Sequence, residues 1–255
     1  MIRDIFILIM FFAYGICIGS FLNVVIYRLP LNLPVHKGRS FCPKCKTTLK
    51  AVDLVPVFSF LFLKGKCRYC KDPISWRYPF FELLTGVMFV LCYLVYGLSF
   101  YTLLGCALMC VLICMAMIDF DTFMVYDFWH FIIIAIAVLM HLTYPATEPT
   151  LTILDRIIGA VSVGGILLVL LLITHGVGGG DVCLMAAMGL ILGWKNNIFA
   201  FFLAYILATI VMLYPIITKK AKSKTPVPMI PFFAISCAIA FLFGNRIIDF
   251  YFSLF

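Results

Sequence analysis

Charge is what this chain has least of. Asp, Glu, Lys and Arg make up 12% of its 255 residues, about half the ~25% usual in soluble domains. Hydrophobic residues make up 65%, and the mean hydropathy is +1.15. Water cannot solvate such a surface, so a soluble globule is excluded. Short segments of alternating polar and apolar residues are missing too, which excludes a transmembrane barrel. There is no internal repeat, no low-complexity tract and no linker between large domains. No glycine-rich fingerprint opens a βαβ unit. A cleavable signal peptide is not expected. The apolar run before and after Ala13-Tyr14-Gly15 continues through Ile26, too long for an h-region, and cleavage there would leave the most basic loop outside.

What the chain does have is long apolar runs. Eight are visible, at about 5–26, 80–97, 100–118, 128–144, 154–174, 182–194, 197–217 and 230–252. A helix needs ~20 residues to cross a bilayer squarely, and the sixth run falls well short of that. The expected fold is an all-α polytopic membrane protein with about eight transmembrane helices and a small cytoplasmic zinc-ribbon-like loop. Its parts are a first helix over 1–27, the loop over 28–79 and a seven-helix membrane domain over 80–255.

The net charge of +8 is concentrated. Eleven of the 19 Lys and Arg lie between Arg28 and Arg77, and four more between Lys219 and Lys224. The positive-inside rule puts those segments in the cytoplasm and both termini outside. Membrane lipids, not nucleic acid, are then the natural partners of this charge.

The first loop holds Cys42-Pro43-Lys44-Cys45 and Cys67-Arg68-Tyr69-Cys70, two C-x2-C knuckles 21 residues apart. Each knuckle turns two sulfurs toward one metal, so Cys42, Cys45, Cys67 and Cys70 form the ligand set of a structural zinc. Two disulfides are the other reading, and a reducing compartment disfavours them. A thiol-redox protein would also use C-x2-C pairs. Bound zinc would separate the two.

Two aspartates fall at the ends of apolar runs: Asp119 within Ile118-Asp119-Phe120-Asp121, and Asp181 within Gly176-Val177-Gly178-Gly179-Gly180-Asp181. Charge in a span is costly and marks function by default. On this topology both lie at the cytoplasmic face, at one depth. Two carboxylates in a low-dielectric site do not both ionise easily. One keeps its proton as the acid and the other activates water, the chemistry of an aspartic protease. The glycines before Asp181 would let an extended substrate backbone come close. Asp127 either caps the fourth span or joins the site, and Asp121 reads as a solvated loop charge. A transporter relaying protons or cations through the aspartates is the alternative of a different class.

Other residues have bland readings beside functional ones. Cys106, Cys110 and Cys114 follow one another at helical spacing and read as packing residues. His130 and His175 either tune the aspartate site or cap helix ends. Glu82, just inside the second span, either binds a cationic ligand or pairs with Arg77.

Taken together these motifs resemble the type IV prepilin peptidases, the bifunctional leader peptidase/N-methyltransferases. The resemblance rests on Gly19-Ser20-Phe21-Leu22-Asn23 with Arg28-Leu29-Pro30, and on the two cysteine knuckles with Gly65-Lys66-Cys67. It continues through Arg77-Tyr78-Pro79 with Glu82, the two aspartate motifs, and Pro226-Val227-Pro228 with Pro231-Phe232-Phe233. Where the family usually has Leu-Pro-Asp, this chain has Val125-Tyr126-Asp127. The resemblance implies catalysis by Asp119 and Asp181 in the bacterial inner membrane. Its substrates would be type IV prepilins or pseudopilins with short basic leaders, cut after Gly. It further implies methylation of the new N-terminus with S-adenosylmethionine, with Gly65 and Glu82 as the candidate cofactor-binding residues. A peptidase without methylation is the nearer alternative.

Overall fold

The computed structural model describes residues 2–36, 38–143, 151–174, 176–218 and 227–254. Their only β features are two isolated antiparallel bridges, Phe41 with Thr48 and Lys66 with Pro73. The helices are α1 (Ile2–Arg28), α2 (Phe58–Phe62), α3 (Arg77–Tyr96), α4 (Phe100–Thr122), α5 (Phe128–Thr143), α6 (Ile153–Thr174), α7 (Gly179–Ile217) and α8 (Ile230–Phe252). All but α2 and α5 are long and apolar enough to cross a membrane. The 16 residues of α5 reach only about 24 Å. The chain divides into two compact units, Met1–Thr102 and Leu103–Phe255.

In the first unit α1 lies directly on α3, and small residues permit it. A Cβ on Gly15 would stand 2.6 Å from the Gly86 Cα, and one on Gly19 would stand 2.8 Å from the Glu82 Cα. Backbones approach this closely in membranes only where side chains are absent, and dispersion contacts then hold them. Near the loop, Asn23 Nδ2 donates to the Tyr78 carbonyl at 3.2 Å. The sequence motif around Gly19 is thus largely a set of contacts to α3.

In the second unit α7 packs on α6, α8 and α5. Leu108, Ile118, Ile133, Leu167, Met185 and Phe233 are among its fully buried side chains. Helix α7 is not continuous. Gly193 has φ 70° and ψ 175°, backbone that glycine adopts without steric cost. Asn197 Nδ2 donates at 3.1 Å to the Met185 carbonyl, whereas a straight helix would hold those residues about 18 Å apart. The chain therefore turns back at Gly193, and α7 is two helical segments. With α5 and both parts of α7 counted, the described residues hold eight long apolar helical segments, as the hydropathy pattern predicts.

That turn explains the short sixth run. A helix that stops inside the protein leaves carbonyls needing donors. Arg156 Nη1 reaches the Leu190 carbonyl at 2.6 Å, and Asn196 Nδ2 reaches that of Leu192 at 3.4 Å. A cation also suits the negative end of a helix. Arg156 is accordingly buried. The opposite faces are apolar and exposed, as lipid contact requires. Ile153, Ile157 and Val161 of α6 and Phe202, Ile206 and Ile210 of α7 form such stripes at helical spacing.

Candidate functional site

Asp119 lies in the last turns of α4 and Asp181 in the first turn of α7. They are 6% and 7% exposed. Their charges act on each other, so the fold has brought together two residues 62 positions apart. Each carboxylate is held by a backbone N–H at a helix start. Asp181 Oδ2 accepts from Gly178 at 3.2 Å, the reach-back half of a capping box on its own helix. Asp119 Oδ2 accepts from Ile230 at 3.3 Å, at the start of α8. Helix N-termini carry partial positive charge and favour a carboxylate there.

The surroundings separate these two from the neighbouring acids. Asp121 and Asp127 are exposed. Asp127 immediately precedes α5, where its backbone carbonyl accepts the His130 amide at 3.0 Å. His175 and Pro226 lie outside the described residues. Tyr205, on the returning part of α7, is near enough to feel the Asp181 charge and meets the Phe233 ring at 5.9 Å. Nothing in the spacing of the sequence singles out Tyr205 or Ile230, because the turn at Gly193 and the start of α8 bring them in.

Of the glycines before Asp181, Gly180 has a packing role in the structure. A Cβ on Gly180 would stand 2.8 Å from Val125 Cγ2. The α4–α5 loop therefore packs directly on the aspartate loop, and Gly180 makes room for it.

In the first unit the cysteine loop is built from two equivalent knuckles. The Cys42 amide donates to Thr47 and the Lys46 amide to Cys42, while Cys67 donates to Asp72 and Lys71 to Cys67. Lys46 and Lys71 take matching positive φ values of 57° and 61°. Lys44 Nζ bridges to Asp72 of the second knuckle at 2.8 Å, and Asp53 binds Arg68 and Tyr69.

The ligand atoms of Cys42, Cys45, Cys67 and Cys70 all lie within 4.8 Å of one another. Cys42 Sγ and Cys70 Sγ are 3.9 Å apart. Tetrahedral zinc with ~2.3 Å Zn–S bonds needs about 3.8 Å between sulfurs, so the set fits one ion. The Thr47 hydroxyl and amide draw the Cys45 thiol down to about 6, toward the thiolate that binds metal. The sulfurs of Cys106, Cys110 and Cys114 do not gather this way among the described residues.

Between this loop and the ends of α1 and α3 is a cavity of about 620 Å³. Glu82, Asp53 and Asp72 line it, with Tyr27, Phe41, Phe60 and Tyr78 as aromatic walls. Glu82 Oε2 accepts the Val57 amide at 2.7 Å, and Ser20 lies beside the same carboxylate. Arg77 lies over the Phe81 ring at 5.9 Å. Gly65 has φ +69°, and a Cβ there would press on Phe60 Cζ at 3.1 Å. It thus backs a wall of the cavity.

Comparison with known proteins agrees with this division. Residues 13–96 match the family described as Bacterial Peptidase A24 N-terminal domain, and residues 106–213 match the Type IV leader peptidase family. The chain is similar to a prepilin leader peptidase/N-methyltransferase of Bacillus subtilis (strain 168), with 34% identity over 94% of this chain and 96% of the relative. Proteins of the same description from Neisseria gonorrhoeae and Aeromonas hydrophila are 37% and 31% identical, covering 72% and 92% of their lengths and 70% and 94% of this chain. No solved structure matches the chain.

Proposed function

The chain belongs to the type IV leader peptidase family, and from that membership we propose that it removes the short basic leader of type IV prepilins and pseudopilins at the cytoplasmic membrane face and then methylates the new N-terminus. The observation that carries the first half is the buried pair Asp119 and Asp181, each held at a helix start and each within reach of the other's field. In this reading one carboxyl of the pair keeps its proton and gives it toward the scissile carbonyl oxygen. The other, ionised, takes a proton from the attacking water. The tetrahedral species then collapses, and the leaving amine takes up a proton from the pair. Substrate arrives from the bilayer, since the lipid-facing stripe of α7 includes Phe202 and Ile206 beside Tyr205.

For the second half, the cavity of about 620 Å³ is the supporting feature, within the ~300–1,000 Å³ of small-molecule sites. S-adenosylmethionine would supply an electrophilic methyl group. Glu82 would attract its cationic centre or the substrate ammonium, aromatic walls would favour the same charge, and Gly65 would keep Phe60 in place. Cys42, Cys45, Cys67 and Cys70 would hold zinc, which lends a small loop the folding free energy it cannot draw from a core. The basic loop supports the cytoplasmic assignment.

Coexpression with a type IV prepilin, followed by mass measurement of the mature N-terminus, tests both halves. The expected product has lost its leader and gained one methyl group. Unprocessed prepilin beside well-inserted protein overturns the reading. Cleaved but unmethylated product leaves only the peptidase.

A further inference from the structure

His130 is a buried side chain that the mechanism above does not use. It stands in the first turn of α5 and is 5% exposed. Both ring nitrogens are buried, and neither meets a partner in hydrogen-bond geometry. A neutral imidazole carries one N–H and one lone pair. Burying either without a partner is costly, so the surrounding structure should supply one.

The polar groups next to the ring are the backbone of Gly180, in the loop of Asp181, and Asp127, one turn earlier in the chain. Asp127 already accepts the His130 amide through its carbonyl, which leaves the Gly180 carbonyl as the acceptor for the ring. Val125, earlier in the same connection, packs on Gly180 as well. The start of α5 and the loop before it therefore hold one peptide unit, the one whose carbonyl belongs to Gly180 and whose N–H belongs to Asp181. That N–H donates to the Gly178 carbonyl at 3.1 Å. A donor on the Gly180 oxygen would add a second tie to the peptide from which the Asp181 side chain projects, and so steady that carboxylate.

We propose that His130 is a positioning residue for Asp181, its ring N–H donating to the Gly180 carbonyl and drawing tight when a peptide substrate fills the site. Hydrogen bonds of this kind are often long or misaligned before substrate binds. The proposal rests on the reading of Asp119 and Asp181 as the catalytic pair. It adds a residue that touches no reacting atom.

The test uses the full-length protein in detergent and a synthetic peptide spanning a prepilin leader and the residues after its cleavage site. His130→Phe keeps bulk and loses the donor, while His130→Gln and His130→Asn keep an N–H. His130→Phe should lower kcat roughly ten- to hundredfold with KM little changed. One of the amide variants should recover most of that loss at a similar melting temperature.

Equal kcat in all variants overturns the proposal. So does a loss that follows melting temperature alone, or a rise in KM at unchanged kcat. If His130→Phe does not fold, 15N-histidine spectra decide the matter. They are taken on otherwise wild-type protein with His36, His141 and His175 replaced by Gln. A single, hydrogen-bonded tautomer in the presence of peptide supports the bond, and a mixture of tautomers overturns it. Asp181→Asn in the same assay separates the two readings. If that variant cleaves at the wild-type rate, the carboxylate assignment fails, whatever the histidine spectra show.

Discussion

Asp119 Oδ2 accepts the Ile230 amide at 3.3 Å, a contact between residues 111 positions apart. Ile230 opens α8 and Pro231 follows it, so the next position has no N–H to offer. Phe232 and Phe233 both turn their amides to the Met229 carbonyl. Ile230 is therefore the donor of this helix start that reaches the carboxylate. Asp181 has the same relation to its own helix through Gly178. The start of α8 at Ile230 and Pro231 thus lies beside Asp119.

Asp119→Asn and Asp181→Asn should each abolish leader removal while the protein still inserts in the membrane. Each leaves one half of an acid–base pair. Asp127→Asn should do much less, because Asp127 is exposed. Prepilin processing in cells, scored against membrane-inserted protein, is the check. Wild-type processing by either of the first two variants would remove the assignment.

The loop should carry about one zinc per chain, as a four-thiolate set requires. Cys42→Ser or Cys70→Ser should lower metal content and expose residues 28–79 to protease. Acid should do the same. Thiolate ligands give up the ion as they take up protons, so metal release should rise as the pH is lowered roughly from 7 to 5. Zinc retained unchanged across that interval would contradict this.

Gly180→Ala should cut cleavage about tenfold or more by displacing the aspartate loop, since the new Cβ would stand 2.8 Å from Val125 Cγ2. Val125→Ala in the same chain should restore much of the activity, and alone should cost little. A double variant no better than Gly180→Ala would show that the contact with Val125 is not what the glycine serves.

Gly65→Val should reduce the methylated fraction of product and leave leader removal largely intact. The substitution is strained at φ +69° and would drive Phe60 toward the cavity. Zinc content and N-terminal mass, measured together, distinguish this from collapse of the knuckle. Equal loss of both activities with zinc retained argues against separate sites.

Arg156→Met should destabilise the second unit by about 2–3 kcal/mol, the cost of a lost charged hydrogen bond and a carbonyl left unpaired. The bond concerned is the 2.6 Å contact to Leu190 that closes the broken helix. Thermal unfolding in detergent reads it, and an unchanged midpoint would mean the contact contributes nothing net.

The apolar runs made the helices legible because a bilayer accepts little else across its core, and the clustering of Lys and Arg in two loops is the separate, positive-inside signal of orientation. The knuckles at Cys42 and Cys67 were legible because zinc imposes its geometry on ligands close in sequence. Asp119 and Asp181 stood out because charge is costly where they sit. What the tertiary structure decided are relations between distant segments. The turn at Gly193 puts Tyr205 near Asp181 and makes Arg156 a buried helix cap, and no local spacing encodes that reversal. Val125 against Gly180, Ile230 against Asp119 and His130 against the Gly180 carbonyl are also long-range contacts. Each depends on how packed helices bring their ends together, and short-range residue preferences carry no information about that.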